Sequence, residues 1–159
     1  MYEKLAWEGD VIALYVAPTA LEPMQPLQEA KFVEGRGIEG DRCYLLNGAA
    51  PDDEEEPAYE VTLIESEAIE SLQYETKVPV SAEELRRNIV TRGFSVSHLV
   101  DREFQVGEVR LRGVSLYEPS PQLMEMVGHK IAVSMMHRGG LVAQILSGGV
   151  VRVGDHIHA

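Results

Sequence analysis

The hydrophobic positions of the chain fall into short runs that glycine and proline separate. The segment 11–16 is apolar and rich in β-forming residues, and the segment 17–26 after it contains three prolines. This pattern predicts a strand followed by a loop. Similar short runs predict further strands at 31–33, 61–64, 88–91, 104–106, 109–111, 114–116, 141–145, 150–153 and Ile157. Many short strands at this spacing are typical of a barrel or of closely packed sheets, so we predict a mainly β fold with a few short helices.

Helical spacing of apolar residues, or a helix start signal, occurs in three segments, 66–74, 81–87 and 121–127. Ser66 stands where an N-cap is expected for the first segment. Ser81 and Glu84 form a capping-box pattern at the start of the second. Gly128 follows the third segment and predicts its end.

Glycines predict where the chain turns tightly. Three glycines lie within the segment 35–40, which indicates positive φ angles or a close approach of the backbone to a ligand. Gly107-Glu108 and Gly148-Gly149 each suit a two-residue hairpin turn. The acidic run 52–56 lies between two prolines and is typical of a solvated loop, because consecutive carboxylates on an extended chain do not converge on one metal ion.

Length and composition indicate one globular domain over residues 1–159. Apolar residues make up 45% of the chain and charged residues 25%, which are ordinary values for a folded domain. The formal charge of −12 argues against a nucleic-acid partner held by phosphate contacts. Most of the 14 basic residues are arginines, whose guanidinium groups bind phosphate with two-pronged geometry, so an anionic small-molecule ligand fits better.

The number of cysteines and the lengths of the apolar runs indicate where in the cell the protein is expected. Cys43 is the single cysteine, so no internal disulfide forms, which is typical of a reducing compartment. The segment 1–10 is charged and lacks the apolar stretch of a signal peptide. Apolar runs such as 11–17 are far shorter than the roughly 20 residues of a membrane span. We therefore expect a cytoplasmic protein with no membrane anchor.

The bend Gly40-Asp41-Arg42 is the first candidate for chemistry. Its backbone N–H groups and the Arg42 guanidinium could face an anion together. The alternative is a tight turn whose shape an Asp41–Arg42 pair maintains. Cys43 follows directly, and an adjacent guanidinium favours its thiolate, although most isolated cysteines are buried and inert.

Two further segments carry basic residues next to other polar groups. Arg86-Arg87-Asn88 follows a short helix, where cations also suit the negative end of the helix dipole, and adjacent arginines point in different directions. We therefore expect only one of the two to enter a site. In the segment 136–140, His137 could transfer a proton and Arg138 could hold an anion, while the alternative is a turn with a hydrogen-bonded histidine.

Taken in order, these pieces resemble the MOSC domain family, named after the C-terminal domain of molybdenum cofactor sulfurase. The resemblance covers roughly residues 10 to 157. Each motif is weak alone, and the ordered set is much more specific. The resembling segments are 35–43, 86–93, 104–107, 111–113, 117–120, 137–140 and 148–155.

The resemblance implies a β-barrel-like fold with a pocket for the pterin-phosphate of molybdenum cofactor or a related anion. It also implies cofactor handling or molybdenum-dependent reduction, with a protein partner for cofactor or electron transfer. The residues implied in cofactor binding are Arg36, Asp41, Arg42, Arg87, Asn88, Arg138 and Gly139, and the catalytic candidates are Cys43, Ser120 and His137.

The sequence departs from the family at its reactive thiol. Where the family often has a Cys-x-Pro-Cys-like segment, this chain has Tyr117-Glu118-Pro119-Ser120. A persulfide and thiolate ligation of molybdenum both need a sulfur atom, so sulfur transfer at this segment is not supported. Cys43 stands where the family commonly has a histidine, and one hypothesis is that it replaces the missing thiol.

Three functional interpretations remain open. The first is a MOSC protein that binds molybdenum cofactor or a similar anion. The second is a binding or regulatory module that keeps the anion pocket without the chemistry, with the segment 52–56 as an interaction element. The third is an enzyme on an unrelated substrate, with His137 and Asp41 as acid and base.

Overall fold

The computed structural model describes residues 7–19, 21–47, 59–118, 128–136 and 138–159, together with Pro121 and Glu125. The strands are β1 Glu8–Val16, β2 Gln25–Leu27, β3 Glu29–Val33, β4 Gly37–Ile38, β5 Val61–Glu65, β6 Ile89–Arg92, β7 Glu103–Val106, β8 Val109–Leu116, β9 Leu141–Ser147, β10 Gly149–Arg152 and β11 His156–His158. The helices are α1 Arg42–Asn47, α2 Ser66–Thr76, α3 Ala82–Leu85 and α4 His129–Ser134, and a 3-10 turn spans Val96–Leu99.

Seven of these strands close into a barrel. They pair in the order β11-β7-β8-β9-β5-β6-β1, and pairing of β1 with β11 completes the ring. The pairs are antiparallel except β5–β6, in which Leu63 lies opposite Ile89 in a parallel arrangement. β2 pairs with the end of β1 outside the ring, and β10, β3 and β4 form a separate small sheet. The predicted mainly β, barrel-like fold is confirmed.

Apolar side chains fill the barrel. Alternate residues of each strand point inward, so Val61 and Leu63 of β5 join a cluster with Leu111 of β8 and Ile145 of β9, all 2% exposed or less. Burying one such side chain stabilises the fold by roughly 1.5–3 kcal/mol. The interior of the barrel is therefore a packed core.

A second apolar cluster covers one side of the barrel from outside. Ile64 of β5 and Val90 of β6 point outward and contact Leu72 of α2, Leu85 of α3 and Ile131 of α4. All five residues of β5 are buried, because the strand faces the core on one side and the helices on the other. This is the usual environment of a parallel strand pair joined by a helical connection.

Most predicted strands are confirmed, and so is the capping box, in which Ser81 accepts a hydrogen bond from the Glu84 N–H. The predicted strands 109–111 and 114–116 are a single strand, β8, whose register shifts between Gly113 and Ser115. The predicted loop 17–26 contains the start of β2.

Two local predictions were wrong. No β9–β10 hairpin forms at Gly148-Gly149, because β10 pairs with β3. The N-cap of α2 is Glu65 rather than Ser66. The sequence patterns also missed α1 and α4, while 52–56 and most of 121–127 lie outside the described residues.

No helix in the described part of the chain is long and apolar enough to cross a membrane.

Gly113 allows β8 to pass close to the 3-10 turn, and this contact gives a test of the packing. A Cβ atom at this position would lie 2.0 Å from the Leu99 carbonyl oxygen. We predict that Gly113→Ala lowers the free energy of unfolding by about 2 kcal/mol, since overpacking against backbone costs about 1–3 kcal/mol. Urea denaturation followed by circular dichroism measures this loss. The exposed Ser115→Ala control should change stability by less than about 0.5 kcal/mol, and an equally small change for Gly113→Ala would contradict the packing.

Candidate functional site

A pocket lies on the outer face of the barrel, where β1, β5 and β6 meet the segment that follows β8. Its enclosed cavity has a volume of about 20 Å³, and the free space reaches about 350 Å³ only when the open mouth and adjoining solvent are counted. Thr62 points into it from β5, between the inward-facing Val61 and Leu63. The lining residues are Ala17, Met24, Asp41, Arg42, Cys43, Tyr59, Thr62, Arg86, Asn88 and Tyr117.

Asn88 holds the wall of the pocket together. Its side-chain oxygen accepts hydrogen bonds from the Thr62 N–H at 3.0 Å and from the Thr62 hydroxyl at 3.2 Å. Its Nδ2 donates to the Tyr15 carbonyl at 3.1 Å. Because these bonds join β1, β5 and the start of β6, Asn88 stabilises the wall while it also lines the pocket.

The bend at Gly40-Asp41-Arg42 uses its backbone N–H groups within the protein. The Asp41 N–H donates to Ile38 and the Arg42 N–H to Ala17. The buried Asp41 carboxylate accepts from the Ala17 N–H at 3.1 Å and the Cys43 N–H at 3.3 Å. The suggested presentation of these N–H groups to an anion is therefore wrong, and the bend contributes the Arg42 side chain alone as a positive group in the pocket.

Arg86 enters the pocket from the end of α3. It has a left-handed backbone, with φ of 62°, that ends the helix and redirects the chain. Its Nη1 donates to the Glu22 carbonyl at 2.7 Å and its Nη2 to the Thr19 carbonyl at 3.1 Å. Burial lowers the pKa of Arg86, and the positive charge of Arg42 lowers it further. Arg42 and Arg86 therefore place two like charges in the lining of one pocket.

Arg87 is not among the residues that line the pocket, and it stacks on Tyr117. The side chain is 1% exposed, and its Cζ lies 3.5 Å from the centre of the Tyr117 ring. Nε donates to the Gly139 carbonyl at 2.8 Å and Nη1 to the Leu85 carbonyl at 2.5 Å, while Nη2 has no partner among the described residues. Burial lowers the pKa of Arg87 to about 10, so the group remains charged at neutral pH.

Gly139 allows this arrangement. A Cβ atom on Gly139 would lie 2.5 Å from the Tyr117 carbonyl oxygen, and the Tyr117 N–H donates to the Gly140 carbonyl at 2.8 Å. The 138–140 segment, the end of β8 and the end of α3 therefore meet around the Arg87 guanidinium. Gly139 supports the wall and is not among the lining residues.

Arg36 and Arg138 lie elsewhere. Arg36 stacks on the Tyr44 ring at 3.8 Å and donates to the Tyr44 carbonyl on α1. Arg138 pairs with Glu75 of α2 through both terminal nitrogens. The structure does not bring either arginine to the pocket. Ser120 and His137 lie outside the described residues, so their predicted catalytic roles stay predictions.

Cys43 lies in the pocket wall as a buried thiol. Burial raises the pKa of Cys43 to about 12, and the Asp41 carboxylate adds to this effect, whereas Arg42 acts in the opposite direction. Arg42 favours the thiolate as expected, but desolvation and the neighbouring carboxylate outweigh it, so the structure agrees with the alternative of a buried, inert cysteine. Among the described residues, no three His, Cys, Asp or Glu side chains form a cluster that could hold a metal ion.

Comparison with known proteins shows the family. The MOSC domain model matches residues 50–158. This chain belongs to the MOSC domain family. The family is linked to molybdenum cofactor. No curated protein matches the sequence.

Solved structures share the MOSC fold of this chain. The YUAD protein from Bacillus subtilis is 18% identical with a TM-score of 0.83, over 97% of this chain and 96% of that one. YiiM from Geobacillus stearothermophilus is 11% identical with a TM-score of 0.67, over 95% and 75% of the two chains. YiiM from Escherichia coli is 17% identical with a TM-score of 0.64, over 93% and 68%. At these identities the likeness concerns the fold alone.

Sequence reasoning about this MOSC chain missed part of the pocket. It favoured Arg87 over Arg86, because nothing in the sequence marks the left-handed residue that redirects the chain after α3. It also missed Tyr59 and Tyr117, which approach from distant segments with ring centres 5.8 Å apart. The motif around Tyr117 was identified, but as the place of an absent thiol.

The raised pKa of Cys43 predicts slow alkylation of the folded protein. With a pKa of about 12, the thiolate fraction at pH 8 is far smaller than for an unperturbed cysteine, whose pKa is about 8.5. We expect iodoacetamide to modify Cys43 at least about ten times more slowly in the folded protein than in urea-unfolded protein. Mass spectrometry at intervals measures both rates. Equal rates at pH 8 would contradict the buried, protonated thiol.

The same shift predicts a loss of stability in alkali. Because the pKa is higher in the folded state, the contribution of Cys43 is fully present below about pH 8.5 and is lost as the pH rises toward 12. We therefore expect the unfolding midpoint of the wild-type chain to fall more between pH 8 and about pH 10.5 than that of Cys43→Ala. Parallel falls in the two proteins would contradict the shift.

Proposed function

We propose that this MOSC protein binds molybdenum cofactor or a related pterin-phosphate anion in the pocket that Arg42 and Arg86 line. The presence of these two arginines in the lining of one pocket, in a chain of formal charge −12, is the observation that supports it. Like charges that approach each other at a partly buried site disfavour one another unless an anion lies between them. A phosphate group is suited to that place.

The charges around the pocket favour an anion. Asp41 is the carboxylate in its lining, and both Asp41 oxygens accept backbone hydrogen bonds. Arg86 uses two of its five N–H donors on loop carbonyls, which leaves further donors for a ligand. The Arg87 guanidinium adds a positive charge 3.5 Å from the centre of the Tyr117 ring, and Tyr117 lines the pocket.

The residues fit the phosphate of the cofactor better than they fit thiolate ligation of molybdenum. When bound, the cofactor would supply redox chemistry at its metal. In this chain, Arg42 and Arg86 would hold the phosphate and the Asn88–Thr62 wall would orient the ligand. Cys43 is protonated at neutral pH, so its thiol does not replace the family's missing sulfur. The proposed role is therefore cofactor binding, with cofactor handling or reduction as its purpose.

A second candidate function is a non-catalytic binding or regulatory module. The state of Cys43 and the tyrosine at the thiol segment favour it, because neither residue offers a sulfur nucleophile at neutral pH. Such a module would bind the same anion and present it to a protein partner. The two candidates differ in whether molybdenum accompanies the pterin.

Analysis of bound molybdenum and pterin tests the proposal. The protein would be purified from a host that makes molybdenum cofactor, with Arg42→Gln, Arg86→Gln as a double variant. Because each arginine supplies charge-assisted hydrogen bonds, we expect the wild-type protein to carry pterin and the variant to carry at least about ten times less. Pterin fluorescence after oxidation and mass spectrometry of molybdenum measure the two components.

The matched control is Arg110→Gln, Arg152→Gln, which removes the same charge from exposed arginines that pair with Glu103 and Glu29 outside the pocket. It should retain the wild-type pterin content. Pterin with molybdenum supports the cofactor-dependent candidate, and pterin without molybdenum supports the binding module. Absence of pterin from folded wild-type protein, or equal loss in the control, would overturn the proposed pocket.

A further inference from the structure

Two tyrosine side chains lie in the same pocket as the two arginines. Tyr59 precedes β5 and Tyr117 follows β8, and their rings meet at 67° with centres 5.8 Å apart. Tyr59 is 48% exposed and Tyr117 is half-buried. The pocket therefore combines cations with aromatic surface, a combination that a plain phosphate would not need.

The Tyr117 ring is held in place before any ligand binds. The Arg87 guanidinium stacks on one of its faces, and carbonyls of Leu85 and Gly139 hold that guanidinium in turn. The backbone of Tyr117 is fixed by its bond to Gly140. A ring that is already ordered loses little conformational entropy when a second ring stacks on it.

We propose that Tyr117 and Tyr59 form a ring-stacking subsite that makes the pocket specific for a phosphate attached to a flat conjugated ring. This inference rests on the proposed function and names two residues that determine specificity. Arg42 and Arg86 bind the phosphate, whereas the tyrosines distinguish ring-bearing phosphates from simple ones. Asn88 and Thr62 line the same pocket from the strand wall.

Calorimetric titration with two phosphomonoesters tests the subsite. Neopterin monophosphate carries a flat ring, and glycerol 3-phosphate has the same phosphate without one. Stacking of a nucleic-acid base on an aromatic side chain typically improves binding by about ten-fold, and a pterin ring offers a similar flat face. We expect neopterin monophosphate to bind at least about ten times more tightly than glycerol 3-phosphate.

Substitutions then assign the preference to the tyrosines. Tyr117→Leu and Tyr59→Leu should each reduce the preference at least about three-fold with little change in glycerol 3-phosphate affinity. Tyr117→Phe should retain the preference, because stacking requires the ring and not the hydroxyl. The control Tyr74→Leu removes a 77% exposed tyrosine on α2, outside the pocket, and should change neither affinity.

The outcomes separate this inference from the function on which it rests. Equal affinity for the two phosphates would overturn the stacking subsite and leave the anion pocket standing. A preference that survives both leucine variants would also overturn it. If Tyr117→Leu does not fold, Tyr59→Leu decides, since Tyr59 is not part of the Arg87 stack. If neither phosphate binds and no pterin copurifies, the proposed function fails and the subsite fails with it.

Discussion

Closure of the barrel is the constraint on which the rest of the structure depends. Once seven strands form a ring, most of their inward side chains are apolar, as in the cluster around Leu63 and Leu111. Glu65 and Thr91 are exceptions, since these buried polar residues alternate with the inward-facing Leu63 and Ile89. Thr62 takes the outer face, and the pocket that it lines lies outside the barrel wall.

A buried cation organises the wall of the pocket. Arg87 reaches the carbonyls of Leu85 and Gly139 and lies under the Tyr117 ring, so it joins three segments that are distant in the sequence. A buried charge without a paired carboxylate is costly to a fold. A nearby bound anion would reduce that cost. A proposed binding site that lowers the free energy of unfolding in the absence of its ligand is consistent with this arrangement.

Two structural features concern the loss of the family's reactive thiol in this chain. Tyr117 contributes an aromatic surface at the segment where a thiol is often found, and Cys43 is kept protonated by burial and by Asp41. Both features favour binding over sulfur chemistry. The fold is thus separable from the reactive sulfur, and the proposed anion pocket does not require it.

The sequence by itself determined most of the strands, the capping box at Ser81 and the β-rich architecture, because alternation and turn residues are local properties, whereas the short strands β2 and β4 were missed. It also determined the family through its ordered motifs. The membership of the pocket was decided only by the tertiary structure. Arg86 rather than Arg87 lines the pocket because the chain turns at a left-handed residue. Arg138 instead forms a salt bridge with Glu75 of α2. Such choices depend on contacts between distant segments, and no local pattern encodes which of two neighbouring side chains they select.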